Sequence, residues 1–499
     1  MNWSAVSRQW SEVAADMGRW RELVSGRDRV RRASTIPENS SMEPRNLQYI
    51  AAACAGQQLT GSPETVVRRV CTDSRQAQAG DLFIALAGEK FDGHDYLAEV
   101  GRREGAAVVL EKARLPVLPL GCAVISVENT RQSLGRLAAQ YRADFKLPAV
   151  AVGGSNGKTT TKDLIAAVLR QKHSTLWSEA SFNNDIGVPL TLLKLEPHHE
   201  VAVLEVGTNH PGELKPLVAM IAPRYGVITS IGREHLEFFG DLAGVVEEEG
   251  WLAELLPRDG KLFINAETPH ADEIIRRTRA TVVRAGLRGW CDWNASQLRL
   301  DETGVSFTVV APRSELCGEY RINLLGRHQV TNALLALAVG AELGLNPDEL
   351  RRGLLACPPP KMRLQVWEAR GVRVLDDAYN ANADSTLAAL QTLADLPCAG
   401  RRLAVLGDMA ELGAHSAAAH AEVGRRAAEL GIQIIAVGRL AGLTARAARD
   451  AGAQAVEEFS DVLAAGRALK SAARAGDVVL LKASRATGLE RVGELLLQD

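Results

Sequence analysis

The sequence lacks several features that would set it apart from ordinary soluble proteins. Its seven cysteines form no CxxC pair, which argues against a disulfide framework or a zinc site and favours reduced thiols in a cytoplasm. The net charge of only −2 argues against electrostatic binding to nucleic acid or membranes, and no apolar run reaches transmembrane length. The 499 residues are 46% hydrophobic and 24% charged, which predicts several globular domains. We therefore expect a cytoplasmic protein with no nucleic-acid partner and no membrane insertion.

The first 45 residues differ in composition from the remainder. They contain the basic run RDRVRR and the polar run STIPENSSMEPR, and they lack the apolar core of a secretory signal. An amphipathic helix over residues 3–24 would suit a partner-binding arm. The alternative is a poorly ordered extension with Met42 as the true initiator, and we predict this alternative because chain termini are commonly loose.

The most informative motif is a glycine-rich turn between a predicted strand and a predicted helix. Residues 149–152 form a short apolar run, residues 153–159 read GGSNGKT, and a helical pattern follows from Asp163. In such a loop, backbone N–H groups and the helix N-terminus bind phosphate oxygens, the lysine neutralises their charge and the hydroxyl binds Mg²⁺. Val152 replaces the first glycine of the full GxxxxGK[ST] pattern, so the alternative is a glycine turn with a chance Lys-Thr. We predict an ATP site formed by Gly154, Ser155, Asn156, Gly157, Lys158, Thr159 and Thr160.

Charged residues also follow predicted strands. Glu205 lies near the end of an apolar strand, and His235 comes soon after the next one, YGVITSI. Ligands collect at the carboxyl ends of parallel strands, so we predict metal or water ligands here, although a lone Glu or His is more often structural. The turn TDSR at residues 72–75 could bind a phosphate, but most such turns are merely solvated.

Three units follow the extension, over residues 46–146, 147–357 and 358–499. The proline run at 358–360 marks the last boundary. Four strand-then-helix alternations in the third unit predict a doubly wound sheet, and the absence of GxGxxG argues against a nicotinamide site. The predicted fold class is α/β with three domains, a central P-loop ATPase-like parallel or mixed sheet and a C-terminal Rossmann-like sheet.

Seven motifs occur in a fixed order and together resemble the Mur ligase family of peptidoglycan synthesis. They are GGSNGKTTTK, FNNDIGVPLTLL, LEVGTNHPGEL, HLEFFG, GRHQVTNAL, LDDAYNANADS and LGDMAELG. The resemblance covers residues 46–499 and implies three domains that bind a UDP sugar, ATP and an incoming amine. It implies ATP and Mg²⁺ as cofactors, and an acyl phosphate that the amine attacks. The motifs NNDIGVP, DDAYNAN and LGDMAELG imply UDP-N-acetylmuramoyl-tripeptide and D-alanyl-D-alanine as substrates, with the third peptide residue left open between diaminopimelate and lysine. We also expect a monomer.

The same resemblance implies roles for individual residues. Lys158 and Thr159 would hold the phosphates and a first Mg²⁺, with Glu205 as a metal ligand and His235 as a ligand of a second Mg²⁺. The motif KASR departs from the expected Lys-Gly-Ser-Arg, since Ala483 replaces glycine. The remaining implied contacts are Asn332 with adenine, Arg363 with phosphates, Asp377 with ribose, Asp73, Ser74 and Arg75 with the uridine nucleotide, and Asn183, Asn184, Tyr379, Asn380, Asn382 and Asp408 with substrates.

An acidic triplet, Glu247–Glu249, lies on the predicted helix after HLEFFG. In the family a lysine on this helix is typically carbamylated, and its carboxylate helps to hold the second Mg²⁺. Alignment of LAGVVEEEGW places Glu249 at that lysine, so we predict that Glu249 supplies a permanent carboxylate as a catalytic residue and metal ligand. Glu247 and Glu248 would point about 200° and 100° away around the helix. The alternative is that all three carboxylates are solvated.

Two other functions are compatible with the phosphate loop. A folylpolyglutamate synthase would share the short loop and acyl-phosphate chemistry, but the DDAYN turn and LGDMAELG count against it. A regulatory module that switches on ATP would leave Glu205, His235 and Arg363 without a joint purpose.

Overall fold

The computed structural model describes residues 42–88, 90–103, 106–116 and 120–497. The extension predicted over residues 1–41 therefore lies outside the described residues. The described residues divide into two compact units, the first formed by those up to residue 147 together with residues 182–200, and the second by residues 148–181 and 201–497. Within the described ranges, we find no helix with the length and apolar character needed to cross a membrane.

The secondary structure alternates between strands and helices along most of the chain. The strands of the described residues are β1 Arg45–Asn46, β2 Gln57–Thr60, β3 Val66–Val67, β4 Val70–Cys71, β5 Leu82–Ile84, β6 Ala107–Glu111, β7 Ala123–Val127, β8 Ala149–Gly153, β9 Thr175–Trp177, β10 Val201–Glu205, β11 Tyr225–Ile228, β12 Lys261–Asn265, β13 Thr281–Gly286, β14 Trp293–Leu300, β15 Val305–Val310, β16 Gly318–Ile322, β17 Gln365–Ala369, β18 Val372–Asp377, β19 Arg402–Leu406, β20 Gln433–Val437, β21 Val456–Phe459 and β22 Val478–Lys482. The helices are α1 Leu47–Ala53, α2 Leu97–Arg102, α3 Thr130–Ala143, α4 Lys158–Leu169, α5 Gly187–Leu192, α6 Leu214–Ile221, α7 Leu236–Phe239, α8 Leu242–Glu254, α9 Ala271–Arg277, α10 His328–Glu342, α11 Pro347–Ala356, α12 Ala383–Asp395, α13 Ser416–Glu429, α14 Ala441–Asp450, α15 Val462–Ala472 and α16 Glu490–Leu497.

The first unit contains a five-stranded sheet in the order β2-β7-β6-β5-β4. Strands β4 to β7 pair in parallel, and β2 joins the edge of β7 in the antiparallel direction. Strands β6 and β7 read AVVLE and AVISV, the near-continuous apolar runs that a parallel strand needs when both of its faces are covered.

Residues 42–45, predicted above as the end of the extension, pack onto the first unit. Met42 is only 3% exposed, and the backbone N–H of Glu43 donates to the hydroxyl of Tyr141 at 2.7 Å. Arg45 pairs with Val67 across β1 and β3. Because this segment buries an apolar side chain and forms a strand pair, the first unit begins before residue 46.

Residues 182–200 were predicted as part of the second domain, but they group with the first unit. Val188 and Leu192 of α5 are buried, and α5 packs against α3. The hydroxyl of Tyr141 donates to the carbonyl of Leu195 at 2.6 Å. The apolar face of α5 therefore belongs to the core of the first unit.

The second unit contains two sheets, and the first of them has nine strands in the order β16-β15-β14-β13-β12-β11-β8-β10-β9. Strands β8 to β14 pair in parallel, whereas β14, β15 and β16 pair in the antiparallel direction. The central mixed sheet predicted from the sequence is confirmed. Strand β8 lies between β10 and β11, so the loop that follows it opens at the middle of the parallel edge, where ligands collect in α/β sheets.

The second sheet of this unit has six strands in the order β17-β18-β22-β19-β20-β21. All neighbours are parallel except the edge strand β17. In β19, Leu403 and Val405 belong to one buried apolar cluster, and Ala404 and Leu406 belong to another. Since successive side chains point to opposite faces of a strand, both faces of the sheet are covered, and the predicted doubly wound fold is confirmed.

Candidate active site

The phosphate loop has the predicted order of strand, glycine turn and helix. Strand β8 ends at Gly153 and helix α4 begins at Lys158, with φ of +113° at Gly154 and +86° at Gly157. A Cβ atom on Gly154 would lie 2.6 Å from Thr229 Oγ1, so glycine is required there by both conformation and space. Ser155 and Asn156 are bonded to the loop after β11, because Ser155 N donates to the Ser230 carbonyl at 2.7 Å and Asn156 N donates to Ser230 Oγ at 2.9 Å.

Lys158 lies against the main chain of its own loop and against a carboxylate. Its Nζ donates to the carbonyls of Gly154 and Ser155 at 2.5 and 3.2 Å and pairs with Glu234 Oε2 at 3.2 Å. Burial lowers the pKa of Lys158, but Glu234, Glu249 and Glu205 together raise it above its ordinary value. Lys158 is therefore cationic at neutral pH. Sequence reasoning assigned no role to Glu234, and the available signal was a carboxylate next to His235 after a strand end.

Glu249 faces the phosphate loop. It is 1% exposed, its Oε2 accepts the N–H of Gly154 at 2.7 Å, and its Oε1 accepts no hydrogen bond from the described residues. Burial raises the pKa of Glu249 to about 8, with Lys158 acting in the opposite direction. The alternative that the whole acidic triplet is solvated is wrong, since Glu248 is also only 4% exposed.

The other two carboxylates of the triplet have different partners. Glu248 accepts the N–H groups of Gly212 and Leu214 at 2.8 and 2.7 Å, which stabilises the start of α6. Glu247 is exposed and pairs with Arg277 at 3.1 Å. The three successive carboxylates therefore have different partners. Glu247 forms a surface ion pair, Glu248 caps the start of α6, and Glu249 contacts the phosphate loop.

Two buried oxygen atoms at this site suit a hard cation. Thr159 Oγ1 and Glu249 Oε1 have no hydrogen-bond partner among the described residues, and Mg²⁺ takes oxygen ligands. Glu205 ends strand β10 and is buried, with its N–H bonded to Ser178 Oγ at 3.1 Å. The residues present therefore fit Mg²⁺, although no group of three His, Cys, Asp or Glu side chains in the described ranges lies close enough to form a complete metal site.

His235 is bonded to a carboxylate of the third domain, which the sequence predicts over residues 358–499. Its Nδ1 lies 2.5 Å from Glu411 Oε2. Burial raises the pKa of Glu411, but the hydrogen bond with His235 and the charge interactions with His235 and His210 together outweigh it, and the pKa lies below its ordinary value. A carboxylate on one ring nitrogen is the usual partner of a metal-binding histidine, whose other nitrogen binds the metal. The predicted role of His235 is compatible with this arrangement, but the structure does not group it with Glu205 and Glu249 into one metal site.

Two of the residues predicted to contact the nucleotide are held by other protein groups. Asn332 is buried, its Nδ2 donates to Gln329 Oε1 at 2.7 Å, and a Cβ on Gly157 would lie 2.8 Å from its Oδ1. Asp377 pairs with Lys482 Nζ at 2.7 Å. Asn332 therefore packs against the phosphate loop, whereas the Asp377 carboxylate is engaged within the third domain. The adenine contact of Asn332 stays a prediction.

The segment around residues 379–382 contacts the middle domain. Asn382 Nδ2 donates to Asn156 Oδ1 of the phosphate loop at 2.9 Å, and the Tyr379 hydroxyl is hydrogen-bonded to Ser181 Oγ. The guanidinium of Arg363 lies over the Tyr379 ring, 4.2 Å from its centroid. The Oδ1 atom of Asn380 accepts the backbone N–H of Ala381 at 2.9 Å.

Asp408 and the KASR turn form structural contacts in the third domain. The Asp408 carboxylate accepts the N–H groups of Arg439 and Leu440 at 3.0 Å each, just before α14. Ala483 is fully buried, and a Cβ on Gly407 would lie 2.6 Å from the Ala483 methyl. The methyl that replaces the expected glycine is thus accommodated by a glycine opposite it.

The remaining predicted substrate residues lie in the first unit. Asp73 accepts the N–H of Arg75 at 3.0 Å and pairs with its guanidinium at 2.8 Å, which lowers the pKa of Asp73. Ser74 is buried in the same turn. Asn184 Oδ1 accepts the N–H of Gly187 at 2.9 Å at the start of α5, and Asn183 precedes it in the same turn.

Comparison with known proteins gives consistent matches along the chain. The Mur ligase family catalytic domain matches residues 66–142, the Mur ligase middle domain matches residues 152–340, and the Mur ligase glutamate ligase domain matches residues 362–485. The UDP-N-acetylmuramoyl-tripeptide–D-alanyl-D-alanine ligase of Escherichia coli strain K12 is 35% identical over 438 residues, which cover 86% of this chain and 94% of the relative.

Solved structures agree with these matches. A crystal structure of MurF from Acinetobacter baumannii has a TM-score of 0.83 at 30% identity and covers 92% of this chain and 100% of its own. The MurF ligase of Thermotoga maritima, solved in complex with ADP, has a TM-score of 0.76 at 27% identity and covers 86% of this chain and 97% of its own.

Proposed function

Because this chain belongs to the Mur ligase family, we propose that it joins D-alanyl-D-alanine to UDP-N-acetylmuramoyl-tripeptide with conversion of ATP to ADP, in peptidoglycan precursor synthesis. The observation that carries the proposal is the phosphate loop, where Lys158 and buried carboxylates meet at the open edge of the central sheet. The relatives named as this ligase match nearly their whole length, which supports the same substrates here.

The proposed chemistry has two steps. A carboxylate oxygen of the tripeptide attacks the γ-phosphorus of ATP, the bond to the β-phosphate oxygen breaks, and ADP leaves. The amine nitrogen of D-alanyl-D-alanine then attacks the acyl carbon, loses a proton and expels phosphate, which leaves an amide. Lys158 and the N–H groups at the start of α4 stabilise the charge that gathers on the transferred phosphoryl group.

Thr159, Glu205 and Glu249 are the residues that would hold Mg²⁺, with the second ring nitrogen of His235, Nε2, as a further ligand. When bound, this ion screens the negative charge of the phosphates from the attacking carboxylate. Glu249 would serve as a permanent carboxylate in place of a carbamylated lysine, and its Oε1 atom without a hydrogen bond supports this role. Because burial raises the pKa of Glu249 to about 8, a bound cation would be what keeps this group ionised at neutral pH.

The substrates are assigned by domain. The turn at Asp73–Arg75 would bind the uridine nucleotide, and Asn183 and Asn184 would contact the same substrate. Arg363 and the 379–382 segment would face ATP or the dipeptide beside the phosphate loop. A cytoplasmic monomer is part of the proposal, and the cysteines of the described residues are unpaired thiols, as a reducing compartment requires.

The deciding experiment measures ADP release with UDP-N-acetylmuramoyl-tripeptide and D-alanyl-D-alanine against a panel of other amines. Parallel reactions with the diaminopimelate and lysine tripeptides would identify the third residue. A further reaction contains a folate substrate and glutamate. ADP release in that reaction would indicate a folylpolyglutamate synthase. ADP release that is independent of any amine would instead indicate a regulatory ATP module and contradict the ligase proposal.

A further inference from the structure

Arg233 of the middle domain binds two carboxylates of the third domain. Its Nε and Nη2 atoms donate to Asp384 Oδ1 at 2.9 and 2.6 Å, and its Nη1 donates to Glu422 Oε2 at 2.6 Å. The backbone N–H of Arg233 also donates to Asp384 Oδ2 at 2.8 Å. A planar guanidinium shared by two carboxylates fixes direction as well as distance, which distinguishes this contact from an isolated surface ion pair.

The contact lies beside the phosphate loop. Asp384 is in the first turn of α12, and Asn382, which precedes this helix, donates to Asn156 at 2.9 Å. A Cβ on Gly232 would lie 2.6 Å from Asp384 Oδ2, so glycine permits this close approach. The N–H of Gly232 in turn donates to Ser155 Oγ at 2.8 Å. The start of α12 therefore has two contacts with the middle domain. One is to Asn156 of the phosphate loop, and the other is to the segment after β11 that contains Gly232.

The two residues after Arg233 extend the connection. Glu234 pairs with Lys158 Nζ at 3.2 Å, and His235 lies 2.5 Å from Glu411 of the third domain. Three successive residues thus join the third domain to the phosphate-binding lysine. A displacement of the third domain that breaks the Arg233 contacts would move the backbone that carries Glu234.

We propose that Arg233 is a positioning residue for ligation, which aligns the third domain with the phosphate loop through Asp384 and Glu422. Its catalytic consequence rests on the proposed function, because amide formation needs the amine held within reach of the acyl carbon. Misplacement of reacting groups by about 1 Å costs on the order of 10²-fold in rate. The docking itself is measurable without any turnover.

The test compares Arg233→Ala with Arg321→Ala as a matched control. The two side chains are almost equally exposed, at 30% for Arg321 and 31% for Arg233. Arg321 also binds a carboxylate, that of Asp301, through two nitrogen atoms. Its partners Asp301 and Ser306 lie in the β14–β16 region and not in the third domain. We expect Arg233→Ala to increase hydrogen exchange in the first turn of α12 and to lower kcat/KM for D-alanyl-D-alanine on the order of 10²-fold. Arg321→Ala should change neither quantity.

Two further variants separate positioning from a loss of stability. Arg233→Lys keeps the charge but not the shared geometry, so it should recover only part of the activity. Glu422→Gln added to Arg233→Ala should cause no further loss, because the two residues act through one contact. Glu422→Gln alone also tests the docking if Arg233→Ala does not fold.

The proposal is overturned if Arg233→Ala matches Arg321→Ala in both exchange and kcat/KM, or if only its melting temperature falls. A wild-type protein without amine-dependent ADP release would instead contradict the proposed function. In that case the exchange of the α12 turn in Arg233→Ala still decides whether Arg233 docks the third domain.

Discussion

The carboxyl ends of the parallel strands in the two sheets of the second unit use their polar residues differently. At the central sheet, Thr159 Oγ1 and Glu249 Oε1 have no hydrogen-bond partner among the described residues. At the third-domain sheet, Asp377 is paired with Lys482 at 2.7 Å, and Asp408 accepts two backbone N–H groups. The first edge has oxygen atoms available for a ligand, whereas the second uses its carboxylates to fix its own loops.

The electrostatics of the two edges show the same contrast. Around Lys158, the side chains of Glu205, Glu234 and Glu249 raise the pKa of the lysine, and burial raises the pKa of Glu249 to about 8. Burying charged groups without full compensation costs free energy, which a bound cation would offset. We call the edge of the central sheet near Thr159 and Glu249 the reacting edge, and the edge of the third-domain sheet near Asp377 and Asp408 the docking edge. Both edges carry carboxylates, so residue type alone does not distinguish them. The reacting edge is distinguished by a shifted pKa and by oxygen atoms without hydrogen bonds.

The largest expected effect is at the centre of the reacting edge. Lys158→Ala removes the cation that faces the phosphates, so we expect turnover to fall by roughly 10²–10³ or more. Binding of the UDP sugar in the first domain should survive, and calorimetry with that substrate is the control. A variant with near-normal kcat would contradict the assignment of the phosphate loop.

The second effect concerns the carboxylates on α8. Glu249→Ala should lose activity, because Glu249 faces the loop through the N–H of Gly154, and the wild-type rate should not depend on bicarbonate. Glu249→Lys should be inactive without bicarbonate and partly rescued with it, as carbamylation would restore a carboxylate. The measurement is ADP release in bicarbonate-free buffer with and without added bicarbonate.

Glu248→Ala is the control for this series, and its expected effect is different. Glu248 accepts the N–H groups at the start of α6, so its loss should destabilise a helix terminus. We expect the free energy of unfolding to fall by roughly 0.5–2 kcal/mol, with a corresponding drop in melting temperature. Its kcat below the melting temperature should stay normal. Normal turnover in Glu249→Ala would show that the carboxylate-replacement idea is wrong.

The contrast between local and distant contacts explains what the sequence could predict. The family and the two sheets follow from contiguous motifs and apolar runs, and both are confirmed. The choice of Glu249 within the acidic triplet came from alignment with the family's lysine, and Glu249 does face the phosphate loop. The bond between His235 and Glu411 joins residues 176 positions apart, and no local spacing indicates it. The grouping of residues 182–200 with the first unit depends in the same way on where the apolar face of α5 finds its partner, α3.

The third prediction tests the docking edge. Asp408→Ala removes the acceptor of two backbone N–H groups before α14, so we expect a loss of roughly 0.5–2 kcal/mol in the free energy of unfolding, similar to the loss of a helix cap. Denaturant unfolding measures this change. The kcat/KM for D-alanyl-D-alanine should stay unchanged, and a raised KM for the dipeptide would instead support the substrate contact predicted for Asp408 from the sequence.

The smallest expected effect is at Ala483, where the family pattern implies glycine. Ala483→Gly removes a buried methyl that packs toward Gly407, which costs about 0.8 kcal/mol, and it adds freedom to the unfolded chain worth roughly 0.4–1 kcal/mol. We therefore expect a slightly lower melting temperature with unchanged activity. Gly407→Ala is the opposing variant, because its Cβ would lie 2.6 Å from the Ala483 methyl, and Ala483→Gly should relieve that clash in the double variant. An altered KM for ATP or for the dipeptide in Ala483→Gly alone would show that this turn belongs to the reacting edge after all.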